Sequence, residues 1–228
     1  MNKDNLSAHD SAMYDREVLV SIPYYRQFHE AVISLVKAAG FVPRLWLDTG
    51  CGTGALVEKI LDAFPETNVL LADPSSGMLE AAKEKLADYN ARVQFLTSVP
   101  TQELTLSNAD APDIITAVQC HHYMQKEERA RAVQRCYSLL GQGGLFIAVE
   151  NIRPVSKEGI AIGKRAWLQY QLEQGRSPEA AEKHMARFDT EYFPITVAEH
   201  LDLLQSRGFR TAEIFWYAYM QAGVYGIK

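Results

Sequence analysis

The stretch from Leu45 to Gly54, LWLDTGCGTG, limits the fold of this chain more than any other part of the sequence. A short apolar run ends at Asp48, and Gly50, Gly52 and Gly54 follow at alternate positions. Glycine permits positive φ angles and lets a ligand approach the backbone closely. A helix that begins after such a turn also presents free N–H groups to an anion. The stretch therefore predicts a strand that turns into a helix around a bound ligand.

Strand-like and helix-like segments alternate along the chain from this turn onward. Strands are predicted at 45–47, 68–73, 93–96, 113–119 and 145–150, and helices at 17–38 with a break near Ile22, at 55–64, at 76–86 and around 130–140. Strands that alternate with helices connect by right-handed crossovers into a parallel sheet with both faces covered. We therefore expect the α/β class, with a Rossmann-like, doubly wound and mainly parallel sheet.

The last third of the chain has a different character. Residues 153–195 carry many charges and helical patterns, whereas residues 211–228 read as one or two strands at the sheet edge. Ser177 followed by Pro178, and Thr196 followed by Glu199, are typical of helix starts. A single domain is predicted, with a helical lid at 1–42, a Rossmann-like core at 43–150, a helical cap insertion at 151–195, and the last helix with edge strands at 196–228. The cap is expected over the carboxyl ends of the strands, where open α/β sheets bind ligands.

Composition argues against several classes of function. The net charge of −5 provides no basic field for nucleic acid or for an anionic membrane surface. No apolar run is long enough to span a bilayer, and the polar N-terminus lacks the apolar segment of a signal peptide. The three scattered cysteines, Cys51, Cys120 and Cys136, are interpreted as free thiols of a cytoplasmic protein.

Asp48 narrows the choice of ligand. A carboxylate aimed into the glycine turn would repel a pyrophosphate, and the loop has no Lys or Arg to compensate, which disfavours a nicotinamide-dependent reductase. A ligand with an amino-acid end fits better, because its ammonium can meet Asp48 and its carboxylate can meet the helix N-terminus. S-adenosylmethionine (SAM) has such an end. Asp73 ends the second predicted strand about 20 residues beyond the loop, where an acidic residue can bind both ribose hydroxyls.

Four motifs, LDTGCGTG, LADPSSGMLEAAKEKL, AVQCHHYM and LLGQGGLFIAVE, follow one another along the chain. In their order and spacing the sequence resembles the class I SAM-dependent methyltransferases over most of its length. The resemblance implies methyl transfer from SAM, with S-adenosylhomocysteine as the product. It also implies which residues bind the cofactor: Asp48, Gly50, Cys51, Gly52 and Gly54 at the methionine end, Asp73 at the ribose, and Pro74 or Met78 on the adenine.

The sequence departs from that family after the third predicted strand. The family usually has an acidic residue there, near the adenine amino group, whereas this chain has Ser98 and Val99. The Ser98 hydroxyl or the Val99 backbone N–H is the predicted replacement. Gln119, at the end of the fourth predicted strand, is expected to lie beside the cofactor.

The flanking segments resemble a narrower subgroup, which is related to carboxy-SAM synthases. The likeness lies in MYDREVLVSIPYYRQF and in the C-terminal segment from Trp167 onward. It implies an enzyme that converts SAM and prephenate into a carboxylated SAM for tRNA wobble-uridine modification, with an arginine of the insertion holding the added carboxylate. Lys183 and Arg187 lie near that place. The loop GCGTG is the ordinary methyltransferase version, so a plain methyltransferase is preferred.

Methyl transfer requires a positioned acceptor and sometimes a base. His122, at the mouth of the fourth predicted strand, is the candidate base or acceptor-orienting residue, with packing or helix capping as the alternative. Tyr25 is the second catalytic candidate. It is expected with Tyr14 in a lid whose aromatic faces stabilise the sulfonium, and packing of the first helix is the alternative. No metal site is expected, because Cys120, His121 and His122 are consecutive and lack the usual ligand spacing.

The sequence thus predicts an enzyme that moves a methyl group from SAM to an O, N or C atom of a small-molecule acceptor. Trp167, Tyr170, His184 and Arg187 in the insertion are candidates for the acceptor pocket. No membrane is expected as a partner, nucleic acid is disfavoured, and a homodimer is compatible with the sequence. Carboxy-SAM synthesis and a non-catalytic SAM-binding role are the alternative functions.

Overall fold

The computed structural model describes residues 11–106 and 111–228, which fold around one seven-stranded sheet. The strands are β1 (Leu45–Asp48), β2 (Asn68–Leu71), β3 (Val93–Phe95), β4 (Ile114–Val118), β5 (Leu145–Asn151), β6 (Thr211–Ala218) and β7 (Gln221–Ile227). The helices are α1 (Tyr14–Ser21), α2 (Tyr25–Ala38), α3 (Ala55–Ala63), α4 (Ser76–Lys85), α5 (Lys126–Leu139), α6 (Lys157–Glu173), α7 (Pro178–Ala186) and α8 (Val197–Ser206). Short 3-10 turns lie at Ser11–Met13, Ala87–Tyr89, Thr101–Glu103 and His121–Tyr123.

The sheet has the order β3-β2-β1-β4-β5-β7-β6. The first five strands are parallel, and β7 runs antiparallel between β5 and the edge strand β6. The predicted fold class, a Rossmann-like and mainly parallel sheet, is therefore confirmed. The order reverses between β1 and β4, and a crevice forms at such a switch point above the carboxyl ends of the strands.

Alternation of side chains along the central strands divides the core into two layers. Trp46 and Ile114 face one cluster of buried residues, together with α2 and α3, whereas Leu47 and Ile115 face the other, together with α5 and α8. Consecutive residues of a strand point to opposite faces, so an apolar run such as IITAV can be buried on both sides. Helices thus cover both faces, as the alternating pattern predicts.

Local sequence signals explain where the helices begin. The Ser75 side chain caps α4 by accepting from the Met78 N–H, and Ser177 with Pro178 begins α7. The predicted capping box of Thr196 and Glu199 is present at α8. None of the helices in the described residues is both long and apolar enough to cross a membrane.

The predicted lid and cap segments are helical and contact each other. The α6 residue Trp167 donates from Nε1 to the Ser21 carbonyl at 2.7 Å, and the Tyr170 hydroxyl donates to the Leu19 carbonyl at 3.2 Å. These bonds tie the insertion between β5 and α8 to the end of α1. The first ten residues of the predicted lid lie outside the described residues.

Candidate active site

A cavity of about 410 Å³ opens at the switch point of the sheet. Its size lies within the usual range of small-molecule sites. Its wall is formed by the loops that follow β1, β2, β3 and β4 and by the start of α1: Tyr14, Thr49, Gly50, Gly52, Asp73, Pro74, Met78, Pro100, Thr101, Gln102, Val118, Gln119, Cys120, Tyr123, Met124 and Glu128. We call this cavity the cleft. Most of the predicted cofactor residues lie in or beneath its wall.

The glycine turn after β1 forms the floor of the cleft. A Cβ at Gly50 would lie 2.6 Å from the Cβ of Cys120, so only glycine lets the turn pass the end of β4. Gly52 has a φ of +52° and Gly54 a φ of +83°, conformations that side chains rarely adopt. A Cβ at Gly52 would point across the cleft towards Tyr14, 4.0 Å away. The missing side chain therefore leaves a cradle between turn and lid.

Asp73 lies at the rim of this cradle, after β2. Its two carboxylate oxygens accept hydrogen bonds from the backbone N–H groups of Gly52, at 3.0 Å, and Ser75, at 2.9 Å. These bonds fix the carboxylate against the glycine turn. A carboxylate has about four acceptor sites, so it can accept further hydrogen bonds from a ligand's hydroxyl groups.

Asp48 lies beneath the turn, and only 1% of its surface is exposed. The Thr116 hydroxyl donates to its Oδ1 at 2.9 Å, and Trp46 Nε1 in turn donates to Thr116 at 3.0 Å. Burial raises the pKa of Asp48 to about 7, although the Thr116 bond opposes the shift. The buried carboxylate is therefore poorly stabilised as an anion, and a cation nearby would favour its charged form.

The segment after β3 contributes residues that the sequence did not single out. Ser98, one of the two predicted replacements for the acidic residue, donates from its hydroxyl to the carbonyls of Asp73 and Pro74. Neither Ser98 nor Val99 lines the cleft, whereas Pro100, Thr101 and Gln102 do. The Thr101 hydroxyl donates to the Thr49 carbonyl and fixes this segment to the glycine turn. Thr101 and Gln102 belong to a short 3-10 turn, and such a turn has no periodic sequence pattern from which it could be predicted.

Gln119, which is predicted to lie beside the cofactor, lines the cleft and has an unusual backbone conformation. Its φ of +54° is rare for a residue other than glycine. The Gln119 N–H donates to the Val149 carbonyl at 2.7 Å, which holds the end of β4 in this conformation. Backbone strain of this kind accumulates at functional sites.

Two tyrosines of the N-terminal helices, Tyr14 and Tyr25, lie next to the cleft. Tyr14 lines the cavity, and a hydrogen bond connects it to Tyr25, which packs on the rings of Phe28 and His29. Burial raises the pKa of the Tyr14 and Tyr25 hydroxyls, so both stay neutral near pH 7. Tyr14 is therefore in place to contact a ligand, and Tyr25 lies behind it.

An ion pair fastens this lid to the glycine loop. Asp15 on α1 pairs with Lys85 at the end of α4, and the Thr53 hydroxyl donates to the same carboxylate. Thr53 belongs to the predicted loop GCGTG, so the pair closes the lid directly above the turn. We call Asp15, Thr53 and Lys85 the latch.

His122 lies outside the cleft wall, with only 2% of its surface exposed. Its Nδ1 lies 2.6 Å from Oε2 of Glu150 on β5. The backbone N–H groups of His121 and His122 donate to the same carboxylate, each at 3.0 Å. Burial alone would raise the pKa of Glu150, but these histidines lower it to about 2. The geometry matches the alternative of a packed histidine.

Further buried polar groups surround Glu150. His121 and His200 have pKa values lowered to about 4, because burial disfavours their charged forms. Arg129 donates to the carbonyls of His121, Met124 and Phe193, which connects α5 to the segment before α8. We call Glu150, Arg129, His121, His122 and His200 the polar cluster. It fixes the segment that carries Tyr123 into the cleft wall.

None of the four candidates in the insertion lines the cleft. Trp167 and His184 are buried against each other, and Tyr170 bonds to the lid; none of the three lines the cleft. Arg187 is also buried, and it contacts the ring of Tyr123 and bonds to its hydroxyl. Burial nevertheless raises the pKa of Tyr123 to about 12, so this cleft residue is neutral near pH 7.

Comparisons with known proteins agree with this architecture. Residues 47–146 match a family described as a methyltransferase domain. A carboxy-S-adenosyl-L-methionine synthase of Campylobacter lari is 26% identical over 211 residues, 90% of this chain and 86% of that protein. The crystal structure of the plantazolicin methyltransferase BpumL with S-adenosylhomocysteine has a TM-score of 0.70 at 18% identity and covers 96% of this chain and 89% of that one. Human N-acetylserotonin methyltransferase with SAM has a TM-score of 0.60 at 18% identity, covering 96% of this chain and 58% of that one.

Proposed function

We propose that this chain, which belongs to the class I SAM-dependent methyltransferases, binds SAM in the cleft and methylates a small-molecule acceptor there. One observation carries the proposal: the glycine cradle, Asp73 and Tyr14 converge on one cavity of about 410 Å³. Bound SAM supplies an electrophilic methyl group on a sulfonium. The residues of this chain hold and orient the two reactants and exclude water.

The cradle fits the cofactor at both of its ends. Gly52 leaves room for the methionine end below Tyr14, and Asp48 beneath the turn supplies negative charge for its ammonium. Asp73 is placed to accept hydrogen bonds from ribose hydroxyls, because its carboxylate is already fixed at the cleft rim by Gly52 and Ser75. Met78 and the Pro100–Gln102 segment offer an apolar slot for the adenine.

The acceptor would lie against Tyr14, Cys120, Tyr123 and Met124, which line the same cleft. The tyrosine hydroxyls are neutral there, and burial raises the pKa of the Cys120 thiol, so none of these groups is a strong base near pH 7. No histidine or lysine lines the cleft among the described residues. Apart from the carboxylates of Asp73 and Glu128, the described part of the cleft wall offers no base, so catalysis would rest mainly on proximity and orientation of an acceptor that is already nucleophilic. His122 would act through Tyr123 as a positioning residue.

Carboxy-SAM synthesis is the second candidate function, and the relatives favour it. The Campylobacter lari carboxy-SAM synthase aligns with 90% of this chain, well beyond the methyltransferase core. In addition, Arg187 contacts the ring of Tyr123, which lines the cleft, so a cation lies directly behind the part of the wall that would hold the acceptor. The GCGTG loop and the small-molecule methyltransferase fold fit plain methyl transfer equally well, and both functions require the same SAM site.

Mass spectrometry of the small molecules released from the purified, denatured protein tests the shared premise. SAM or S-adenosylhomocysteine supports methyl transfer, a carboxylated SAM supports the second function, and NAD contradicts both. Incubation with SAM and prephenate separates the two functions, since only the second forms the carboxylated product.

Asp73→Asn should weaken SAM binding by about 1 to 3 kcal/mol, as for a lost charged hydrogen bond. Glu80→Gln, on the exposed side of α4, is the matched control.

A cytoplasmic location remains part of the proposal. Cys51, Cys120 and Cys136 are all free thiols, which persist in reducing compartments. A homodimer and the absence of a nucleic-acid partner are also proposed. Size-exclusion chromatography with light scattering would test the first, and filter binding with RNA the second.

A further inference from the structure

A shallow groove lies on the outer side of the Thr101–Glu103 turn, next to the cleft. Its volume is about 320 Å³, and it is lined by Gln102, Ala130, Arg131, Gln134, Arg135, Ser138 and Arg207. We call it the arginine groove. Gln102 belongs to the walls of both cavities, so the groove adjoins the cleft but is separate from it.

Helical spacing brings most of these side chains together. Gln134 and Arg135 lie three and four residues after Arg131 on α5, and Ser138 lies four and three residues after them, which places all four on one face. Arg207 at the end of α8 completes the groove from the other side. Two arginines four residues apart on a helix repel each other, and a third beside them adds to the repulsion. A bound anion would remove this cost.

The three guanidinium groups have no carboxylate partner among the described residues. Within residues 11–106 and 111–228, none of Arg131, Arg135 and Arg207 forms an ion pair, and the groove wall contains no Asp or Glu. Arg135 donates through Nε to the Leu104 carbonyl, which fixes its orientation. Arg207 Nε is shielded from solvent and has no hydrogen-bond partner within the described residues. The groove wall thus carries three positive charges in a chain whose net charge is −5.

We infer that the arginine groove binds a small phosphate-bearing anion. Guanidinium groups bind phosphate oxygens through paired, charge-assisted hydrogen bonds, and several of them match the charge of a phosphate monoester or a diphosphate. The amides of Gln102 and Gln134 and the Ser138 hydroxyl add neutral donors. A small ligand is favoured over a nucleic acid, because the overall negative charge of the chain repels a long polyanion. The inference does not depend on the function of the cleft.

Isothermal titration with inorganic pyrophosphate at low salt tests the site on the whole protein. Wild type should bind saturably, and Arg131→Gln and Arg207→Gln should each weaken binding by about tenfold, with a larger loss in the double variant. Arg135→Lys keeps the charge but loses the paired hydrogen bonds, so it should also weaken binding. Arg26→Gln on α2 removes the same charge outside the groove and should bind as wild type does.

Several outcomes would overturn the inference. No saturable binding by a protein that still binds SAM would do so, as would equal losses in Arg26→Gln and Arg131→Gln. Sulfate that binds as tightly as pyrophosphate would show general attraction of anions rather than a phosphate site. A short single-stranded RNA that binds through the same arginines, without competition from pyrophosphate, would replace the small ligand with nucleic acid. Circular dichroism of each variant verifies folding, and Arg131, which is exposed, provides the variant that is safest to make.

Discussion

The carboxylates of Asp48 and Glu150 are both fully buried, at the carboxyl ends of β1 and β5. Their surroundings shift the two pKa values in opposite directions. Asp48 has one hydrogen-bond donor to its carboxylate among the described residues, the Thr116 hydroxyl, and a pKa raised to about 7. Glu150 has two backbone N–H donors and the His122 ring, and a pKa lowered to about 2. The difference teaches that burial alone does not mark a binding residue. A carboxylate with few partners can still receive a ligand's cation, whereas one with many partners has a structural role.

Substitution of the two carboxylates should separate these roles most clearly. Glu150→Gln should lower the free energy of unfolding by about 2 to 4 kcal/mol, because the amide has one acceptor oxygen for the two backbone N–H groups that the carboxylate now binds, and an unsatisfied buried donor costs about 1 to 3 kcal/mol. Asp48→Asn should instead raise it by about 2 to 3 kcal/mol at pH 7, since Asn can still accept from Thr116 and carries no buried charge. Urea unfolding measures both. Glu213→Gln, exposed on β6, is the control. Equal losses of unfolding free energy in the Asp48 and Glu150 variants would contradict the difference between the two carboxylates.

The pH dependence of stability should also reveal Asp48. Its folded pKa of about 7 exceeds the ordinary value of 3.8, so its contribution is fully present below pH 3.8 and is lost as the pH rises through 7. Relative to Asp48→Asn, wild type should therefore lose about 2 to 3 kcal/mol of unfolding free energy between pH 5 and pH 7. Unfolding curves of both proteins at the two pH values give this difference. If the difference in unfolding free energy between the two proteins is the same at both pH values, Asp48 is already ionised at pH 5.

Cofactor binding should depend on the same proton. If the SAM ammonium meets ionised Asp48, protonation of Asp48 opposes binding, and the dissociation constant should rise about tenfold for each pH unit below 7. Calorimetric titration of SAM between pH 5 and pH 7 measures the slope. In Asp48→Asn the affinity should be lower and nearly independent of pH over this range. The same slope in both proteins would assign the proton to another group.

The latch should give the smallest effect, because its ions are partly exposed to solvent. Lys85→Met removes the partner of Asp15 and should speed SAM release by about two- to fivefold, in line with the small free energies of such ion pairs. Stopped-flow displacement of SAM measures the rate. Lys83→Met breaks the exposed pair with Glu80 on the same helix and should leave the rate unchanged. High salt should reduce the difference between wild type and Lys85→Met.

Much of the architecture could be predicted because its signals are local. Apolar runs of three to five residues, as in β1 and β5, and four-residue apolar spacing in α3 identify the layers. Caps at Ser75 and Thr196 mark helix starts with hydrogen bonds that span only three residues. The glycine turn could be identified in the same way, since positive φ at Gly52 and Gly54 is a property of the turn itself.

The surroundings of individual polar side chains could not be predicted, because their partners are distant in the sequence. The sequence predicts a base at His122 and an adenine contact at Ser98, but it does not indicate that Glu150 lies against the His122 ring or that the Ser98 hydroxyl bonds to the carbonyls of Asp73 and Pro74. Both pairings follow from how the strand ends meet in the sheet. Helical periodicity does place Arg131 and Arg135 on one face, but it says nothing about the approach of Arg207.

The sequence by itself determined the strand–turn–helix at Asp48, the alternation of strands and helices, and the class of ligand that a glycine turn between two carboxylates, Asp48 and Asp73, can hold. Hydrogen bonds and side-chain directions within a few residues suffice for those features. Only the tertiary structure decided that Gly50 is needed to pass Cys120, that Asp48 remains poorly partnered, and that Glu150 is saturated. The physical reason is that the energy of a buried charge depends on every donor brought to it, and those donors come from segments that only the folded sheet brings together.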